Sequence, residues 1–513
     1  MDGEKVSSLL CIGVLTLLGV RPLLAQTTAQ YDNARTGAAV HETVLTPAKV
    51  KAGFGRVGAI AVDGDVYAQP LYLPRPGGRA ELIVATENNS VYAFDVATLP
   101  SQLLWHANLN GSGIPLTFPD VRCPFIRPSV GITPTPVIDT GTGSLYVLTR
   151  TKTAGGYTQT LHRLDLRNGH DLGPPAEIRA RVPGTGIDAQ NGIVSFNPLR
   201  ENPRAALLLA RGVVYLSWAS SCDVAPYHGW VMAYDAATLT QRAVFNASPD
   251  GADAGIWQGD AGLAADSAGR VYAVTGNGSF DTAATHRRDW GSTILQLTLR
   301  DSTLAVTDFF TPWNQSALTL DDNDLGSSGP ILLPMQPGGR NPLLVVTGKD
   351  GTTYVVNRDA MGKYGTTDQG RVVQALQTST GGFGAAAYWN HTVYLWGSDD
   401  VLKAYRVSEN GLALRESAPA HATDPGSTPT ISADGNRNGI VWAIETRTWN
   451  GRDKPAVLHA FDAGDVRVEL FSSERNSGRD RAGFATRFAI PTVAGGRVYV
   501  PAKGEVDVYG LLP

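Results

Sequence analysis

A short pattern recurs along the chain, and it constrains the fold more than any other feature. Each copy opens on a short apolar segment, often with proline, then passes a glycine or aspartate turn into apolar strands that end near Asp. The clearest openings are VYAQPLYLP (66–74), GITPTPVID (131–139), GSTPTISAD (426–434) and AIPTVAGGRVYV (489–500). The clearest endings are SVYAFD (90–95), WVMAYD (230–235) and VLHAFD (457–462). Many of these segments alternate apolar and polar residues, which is typical of half-buried strands.

The repeat predicts an all-β fold. Short strands with glycine turns at a spacing of roughly 40 to 70 residues favour a β-propeller over a sandwich. The openings predict a single propeller of about eight four-stranded blades, with seven as the alternative. The last repeat (488–513) supplies only about three strands, so we expect the segment GFGRVGAIAV (53–62) to add the fourth and close the ring.

The N-terminus resembles an export signal. Lys5 precedes an apolar stretch, and Ala25 offers a small residue for cleavage. We therefore predict a signal peptide at residues 1–26, a propeller domain at 27–513, and a secreted or periplasmic protein. An uncleaved anchor is the alternative, and no other stretch is apolar enough to span a membrane. The formal net charge of -4 gives no basic excess that would favour nucleic-acid binding.

Cysteine usage leaves one pairing open. Cys11 falls in the predicted signal peptide, so Cys123 and Cys222 remain in the mature chain. Two cysteines in an exported protein form one disulfide or remain as two buried thiols. Cys222 lies in SSCDVAPYH (220–228), directly before a blade strand. Loops on one face of a propeller surround its channel, where a small molecule or a polymer is expected to bind.

The strand endings, the turn GKDGTTYVVNRD (348–359) and the segment TGNGSFD (275–281) resemble the pyrroloquinoline quinone (PQQ)-type propellers. That superfamily includes quinoprotein alcohol dehydrogenases and non-catalytic outer-membrane assembly factors. The chain is most similar to secreted bacterial proteins with PQQ-type repeats, and the resemblance covers nearly all of the mature sequence. It implies a site for PQQ and a Ca²⁺-type ion near the channel axis.

The resemblance also implies roles for individual residues. Asp324 matches the catalytic base, and Lys349 matches the cation that faces the quinone. Asn277 matches a metal ligand, Asp223 is the acidic residue nearest to a second one, and Trp257 is the candidate floor of the cofactor site. Such a site needs hard oxygen ligands for the ion, a carboxylate base near the substrate hydroxyl, and a cofactor that accepts the electrons.

The sequence departs from the dehydrogenase pattern at three points. Val224 stands where those enzymes have a metal-binding Glu. There is no pair of adjacent cysteines, and a Cys123–Cys222 bridge over the channel is the candidate replacement. There is no CxxCH motif, so we expect no c-type haem, and electrons would pass to a separate acceptor.

Each candidate residue also has an ordinary interpretation. Asn277 precedes a glycine, as in many turns, and Asp324 lies in an acidic loop. Lys349 suits an exposed turn, and Trp257 suits the core. Two hypotheses therefore remain: an oxidoreductase that acts on an alcohol or a sugar with PQQ and Ca²⁺, or a non-catalytic propeller that binds a polymer, a peptide or a cell-envelope partner.

Overall fold

The computed structural model describes residues 25–282, 287–338, 341–421, 424–447 and 453–513. In these ranges the chain forms an eight-bladed β-propeller of mostly four-stranded sheets. The all-β prediction is confirmed, with eight blades rather than seven. The predicted signal peptide lies outside the described residues, except for Ala25 and Gln26. In the part of the chain that the structure describes, no helix is long and apolar enough to cross a membrane.

The strands from the N-terminus to the end of the fourth blade are β1 (Ala38–Ala39), β2 (Phe54–Ala61), β3 (Leu71–Pro74), β4 (Ala80–Ala85), β5 (Ser90–Asp95), β6 (Gln102–Asn108), β7 (Ile114–Thr117), β8 (Ser129–Val130), β9 (Val137–Asp139), β10 (Ser144–Thr153), β11 (Gly156–Asp165), β12 (Ala176–Glu177), β13 (Arg181–Pro183), β14 (Ile193–Ser195), β15 (Leu208–Ala210), β16 (Val213–Trp218), β17 (Trp230–Asp235), β18 (Gln241–Asn246), β19 (Ala264–Ala265), β20 (Val271–Val274), β21 (Ile294–Arg300) and β22 (Thr303–Phe310).

The remaining strands are β23 (Ile331–Leu332), β24 (Leu343–Thr347), β25 (Thr352–Asn357), β26 (Gln374–Gln377), β27 (Ala387–Trp389), β28 (Thr392–Trp396), β29 (Val401–Ser408), β30 (Gly411–His421), β31 (Thr430–Asp434), β32 (Arg437–Glu445), β33 (Val457–Asp462), β34 (Asp465–Ser472), β35 (Thr492–Ala494), β36 (Arg497–Ala502) and β37 (Glu505–Leu511). Among the described residues, the connections contain four short α-helices: α1 (Pro47–Ala52), α2 (Phe118–Val121), α3 (Gln315–Leu320) and α4 (Ser477–Asp480).

The blades follow one another along the chain as antiparallel sheets. They are β3–β6, β9–β12, β15–β18, β19–β22, β23–β26, β27–β30, β31–β34, and β35–β37 with β2. Strands β7 and β8 extend the second blade beside β10, β13 and β14 form a small hairpin, and β1 joins the seventh blade.

Each blade buries both faces of its central strands. Along β17, Met232 and Tyr234 pack into a core shared with the second blade, whereas Val231 and Ala233 pack into a core shared with the fourth. Successive side chains of a strand point to opposite faces, so one strand serves two cores. This explains why the central strands are nearly continuous apolar runs.

The N-terminal strand closes the ring. Strand β2 pairs antiparallel with β37, from Phe54 opposite Leu511 to Ala61 opposite Glu505. Phe54 packs against Trp442 of the seventh blade, with ring centroids 5.1 Å apart. An early strand and the last strands of the described chain therefore form the eighth blade together, and the predicted origin of its fourth strand is confirmed.

Residues 26–37 lie across the channel and bond to the first strand of every blade. Arg35 is fully buried and donates to the carbonyl oxygens of Ala29, Leu207 and Leu263 and to the hydroxyl of Thr28. The partners in blades one to eight are Tyr72, Ile138, Leu209, Ala265, Leu332, Tyr388, Ile431 and Val493. The segment thus ties all eight blades together at the channel.

Candidate functional site

A cavity of about 360 Å³ lies at one end of the channel. At this end of the channel, each blade contributes the loop that leads into its first strand and the loop that joins its second strand to its third. These loops therefore lie close together around the cavity. Six of the residues singled out from the sequence line the cavity: Cys123, Cys222, Asp223, Trp257, Asp324 and Lys349. They come from loops of blades two to five, and the topology brings them together.

Asp324 is a buried carboxyl group in the cavity wall, with only 7 % of its surface exposed. Its Oδ1 accepts a hydrogen bond of 2.8 Å from the backbone N–H of Asn277, and its Oδ2 lies 3.8 Å from the Lys349 ammonium. A side chain on Gly276 would collide with this carboxyl group, so glycine is what allows the close approach.

Burial raises the pKa of Asp324 to about 7. The carboxylates of Asp223 and Asp322 contribute to this rise, whereas the N–H of Asn277 and the ammonium of Lys349 act in the opposite direction. A carboxyl group with a pKa near the operating pH is suited to accept and release protons. The acidic loop therefore contains one buried carboxyl group, although Asp321 and Asp322 are exposed.

Lys349 pairs with carboxylates at the edge of the cavity. Its Nζ is 2.6 Å from Asp322 Oδ2, and its backbone N–H donates to the carbonyl of Asp324 at 2.9 Å. The main-chain bond fixes the turn that carries Lys349 against the loop of Asp324. The lysine therefore adds a positive charge to the same wall.

Asn277 supports this wall from behind and is not among the residues that line the cavity. Its Nδ2 donates to Asp322 Oδ1 at 3.1 Å. Its Oδ1 is buried and accepts no hydrogen bond from the described residues. An oxygen of this kind is a potential ligand for a cation.

The loop 220–228 forms another part of the wall. Tyr227 donates from its hydroxyl to Asp223 Oδ1 at 2.8 Å, and burial raises the pKa of Asp223. The Tyr227 ring meets the Trp257 ring edge to face, with centroids 6.3 Å apart. A disulfide with an S–S distance of 2.05 Å joins Cys222 to Cys123, which is 99 residues earlier in the chain. The bridge ties the loop before the second blade to the third blade.

Sequence reasoning missed the cationic and aromatic part of the cavity. Arg204, Arg487, Phe125, Phe383 and Phe488 also line it. All but Phe125 lie four to seven positions before the first strand of a blade, as do Trp257 and Asp324. That shared position in the repeat was the available signal.

The cavity suits a planar, anionic quinone better than it suits a metal ion held by protein alone. The Trp257 ring and the disulfide offer flat contacts, and the cationic side chains of Arg204, Arg487 and Lys349 give the lining a positive charge that suits an anionic ligand. No group of three His, Cys, Asp or Glu side chains in the described ranges is arranged to hold a metal. Among the described residues, Asp223 and Asn277 Oδ1 are the two ligands that the sequence predicts, so the remaining ligands of an ion held by them would have to come from other groups, the cofactor or water.

No family model matches the chain, and no curated protein sequence matches it. Several solved structures are nevertheless similar to it in fold. A europium-containing methanol dehydrogenase is similar over 95% of this chain and 98% of its own, with a TM-score of 0.62 at 14% identity. The quinohemoprotein alcohol dehydrogenase from Comamonas testosteroni is similar over 96% of this chain and 81% of its own, with a TM-score of 0.61 at 14% identity. The chain therefore has the PQQ-type β-propeller fold.

Proposed function

We propose that the chain is an exported oxidoreductase of the quinoprotein type, which oxidises an alcohol or a sugar hydroxyl with PQQ bound in the cavity. The position of Asp324 carries the proposal. Its buried carboxyl group faces the cavity beside Lys349, and both it and Trp257 lie against Gly276. An aspartate on a solvated loop has no such contacts with a lysine, a backbone N–H and a glycine that leaves room for it.

Asp324 acts as the base in this proposal. Asn277 holds Oδ1 through its backbone N–H, which leaves Oδ2 as the oxygen that accepts the hydroxyl proton. Lys349 stabilises the ionised carboxylate from 3.8 Å. When bound, PQQ supplies an acceptor for the two electrons and the hydrogen that leave the alcohol carbon.

Trp257 and the Cys123–Cys222 bridge would contact the faces of the quinone, and Lys349 would contact its oxygens. A Ca²⁺-type ion would be held by Asp223 and Asn277, but no step assigned to the chain depends on it. Since the sequence has no CxxCH motif, the electrons would leave to a separate acceptor.

The proposal is tested by dye-linked oxidation of a panel of alcohols and sugars after the purified protein is loaded with PQQ. Asp324→Asn should lower kcat by a factor of about 10² to 10⁴, the usual contribution of a positioned base. Asp321→Asn, in the exposed part of the same loop, is the matched control and should keep full activity. Equal activity of wild type and Asp324→Asn would rule out Asp324 as the base.

A non-catalytic propeller is the second candidate, and Val224 is the observation that favours it. The side chain at this position cannot bind a cation, whereas the dehydrogenases have Glu there. In this case the cavity would bind a polymer, a peptide or an envelope partner without redox chemistry. The distinguishing result is a folded protein that binds no PQQ with or without Ca²⁺.

A further inference from the structure

The segment GGFG (381–384), before the first strand of the sixth blade, places one aromatic ring among three glycines. That ring belongs to Phe383, which lines the cavity. A side chain on Gly382 would collide with the carbonyl oxygen of Gly348, and a side chain on Gly259 would collide with the carbonyl oxygen of Phe383. Because glycine permits this close approach of main chains, the position of Phe383 is fixed against the fourth and fifth blades.

The same segment is joined to the loop and the turn that carry the proposed base and its cation. The hydroxyl of Ser327, three residues after Asp324, donates to the carbonyl oxygen of Gly382. The turn that Gly382 contacts also carries Lys349. These contacts hold Phe383 close to the loops of Asp324 and Lys349 in the cavity wall.

Phe488 completes an aromatic pair with Phe383. The two ring centroids are 6.3 Å apart, with 27° between the ring planes, and both half-buried side chains line the cavity. The φ angle of Phe488 is +60°, a left-handed conformation that bulky residues rarely adopt. Such a conformation costs free energy, persists only where the surroundings fix it, and is concentrated at functional sites. The fold therefore holds the Phe488 ring at the cavity in spite of backbone strain.

Aliphatic side chains extend the apolar part of the cavity lining. Val121, Ile126 and Val130 come from the segment between α2 and β8 and line the same cavity as the aromatic pair. Side chains of these types have no conventional hydrogen-bonding group. A sugar ring has hydroxyl groups on most of its carbon atoms, and each of them needs a polar partner when it leaves water. A flat apolar ring needs no such partners, so it suits this surface better.

We infer that Phe383 and Phe488 form a subsite for a flat apolar ring, and that the substrate is an arylmethanol whose hydroxyl group reaches Asp324. Aromatic rings favour stacked or edge-to-face contact with a further ring. Because the Phe383 segment contacts the Asp324 loop, a hydroxyl group one carbon atom from the ring suits both. The substrate class rests on the proposed function, whereas binding of the ring does not.

The binding test is a fluorescence titration of 2-naphthylmethanol into the purified protein, with and without PQQ. Wild-type protein should bind this probe saturably in both cases. Benzyl alcohol should displace the probe at a lower concentration than cyclohexylmethanol, whose ring has the same number of carbon atoms but is not flat. Glucose should not displace it.

Two variants remove the rings without leaving an unsuitable residue. Phe383→Leu keeps an apolar side chain, and Phe488→Gly suits the left-handed backbone, so both should fold. Phe383→Leu should weaken probe binding about 3- to 10-fold, since an aromatic contact is lost, and Phe488→Gly should weaken it by a similar factor or more. Phe484→Ala is the matched control, because Phe484 lies in the same loop as Phe488, is 45% exposed and does not line the cavity. It should bind the probe as wild type does.

The catalytic test is dye-linked oxidation by the PQQ-loaded protein. Wild type should have a higher kcat/KM for benzyl alcohol than for ethanol or glucose. Phe383→Leu should raise KM for benzyl alcohol about 3- to 10-fold and leave kcat/KM for ethanol unchanged, because ethanol has no ring to contact the subsite.

The two tests separate failure of the inference from failure of the proposed function. Absence of saturable probe binding, or equal binding by wild type and both variants, would overturn the subsite. Displacement of the probe by PQQ would overturn the substrate class, since the rings would then contact the cofactor. Probe binding without oxidation of any alcohol would support the subsite and contradict the proposed function. Preferred oxidation of ethanol or glucose would support the proposed function and contradict the inference.

Discussion

Replacing Asp324 by asparagine is expected to stabilise the folded protein at neutral and alkaline pH. Burial raises the pKa of this carboxyl group from 3.8 to about 7. Between these values the folded state holds a proton that the unfolded state has released, so wild-type stability falls as pH rises through this window. Asparagine has no proton to lose and can still accept the N–H of Asn277.

The size of the effect follows from the pKa. A pKa about three pH units above 3.8, at 1.36 kcal/mol per unit, corresponds to about 4 kcal/mol of unfolding free energy. The difference between Asp324→Asn and wild type should be near zero at pH 4 and should approach this value above pH 7. Because Asp324 is almost fully buried, solvent screening should reduce the effect little.

Urea unfolding at pH values from 4 to 8.5 measures this difference. Asp321→Asn, at an exposed position of the same loop, should change the free energy of unfolding by less than about 0.5 kcal/mol. A difference between Asp324→Asn and wild type that does not grow with pH would refute the reasoning. In the proposed enzyme, the same substitution should therefore lower kcat while it raises the free energy of unfolding.

Three other changes test the fold and the site. Cys222→Ser should cost about 2–5 kcal/mol by opening a bridge across 99 residues, and wild type treated with reductant should lose a similar amount in urea unfolding; no effect of either would contradict the disulfide. Phe54→Ala should lower the unfolding free energy by about 3–5 kcal/mol, since it empties the contact that closes the ring, whereas the exposed Leu103→Ala should change it by less than about 0.5 kcal/mol. Arg35→Met should cost about 3 kcal/mol or more in the same assay, because buried carbonyl groups lose their donors; a stable variant would show that the channel segment is dispensable.

The repeat was enough to predict the propeller and its closure, because strand period and turn residues are local signals. The segment 26–37 could not be predicted in the same way. It has no regular strand pattern, and its partners are mainly main-chain groups spread over eight blades. The segment ties the blades together only once the ring has formed, so its own residues do not indicate this role.

The candidate site was predictable where a motif resembled a known family, as for Asp324 and Lys349. The metal-binding role of Asn277 stays a prediction; its backbone N–H supports Asp324, and the residue is not among those that line the cavity. Arg204 and Arg487 show the limit of prediction from motifs. They lie in loops without a motif, and only the closed ring brings these loops, 283 residues apart in sequence, to one cavity.

Binding of PQQ to the purified mature protein tests the central claim most directly. Titration with and without Ca²⁺, followed by absorbance and by the melting temperature, should show saturable binding. At a PQQ concentration 100 times Kd, the folded state should gain about 2.7 kcal/mol. Lys349→Ala should weaken binding, and Lys454→Ala, in an exposed loop, should not. Absence of binding at high micromolar PQQ, in protein shown to be folded, would contradict the quinoprotein account.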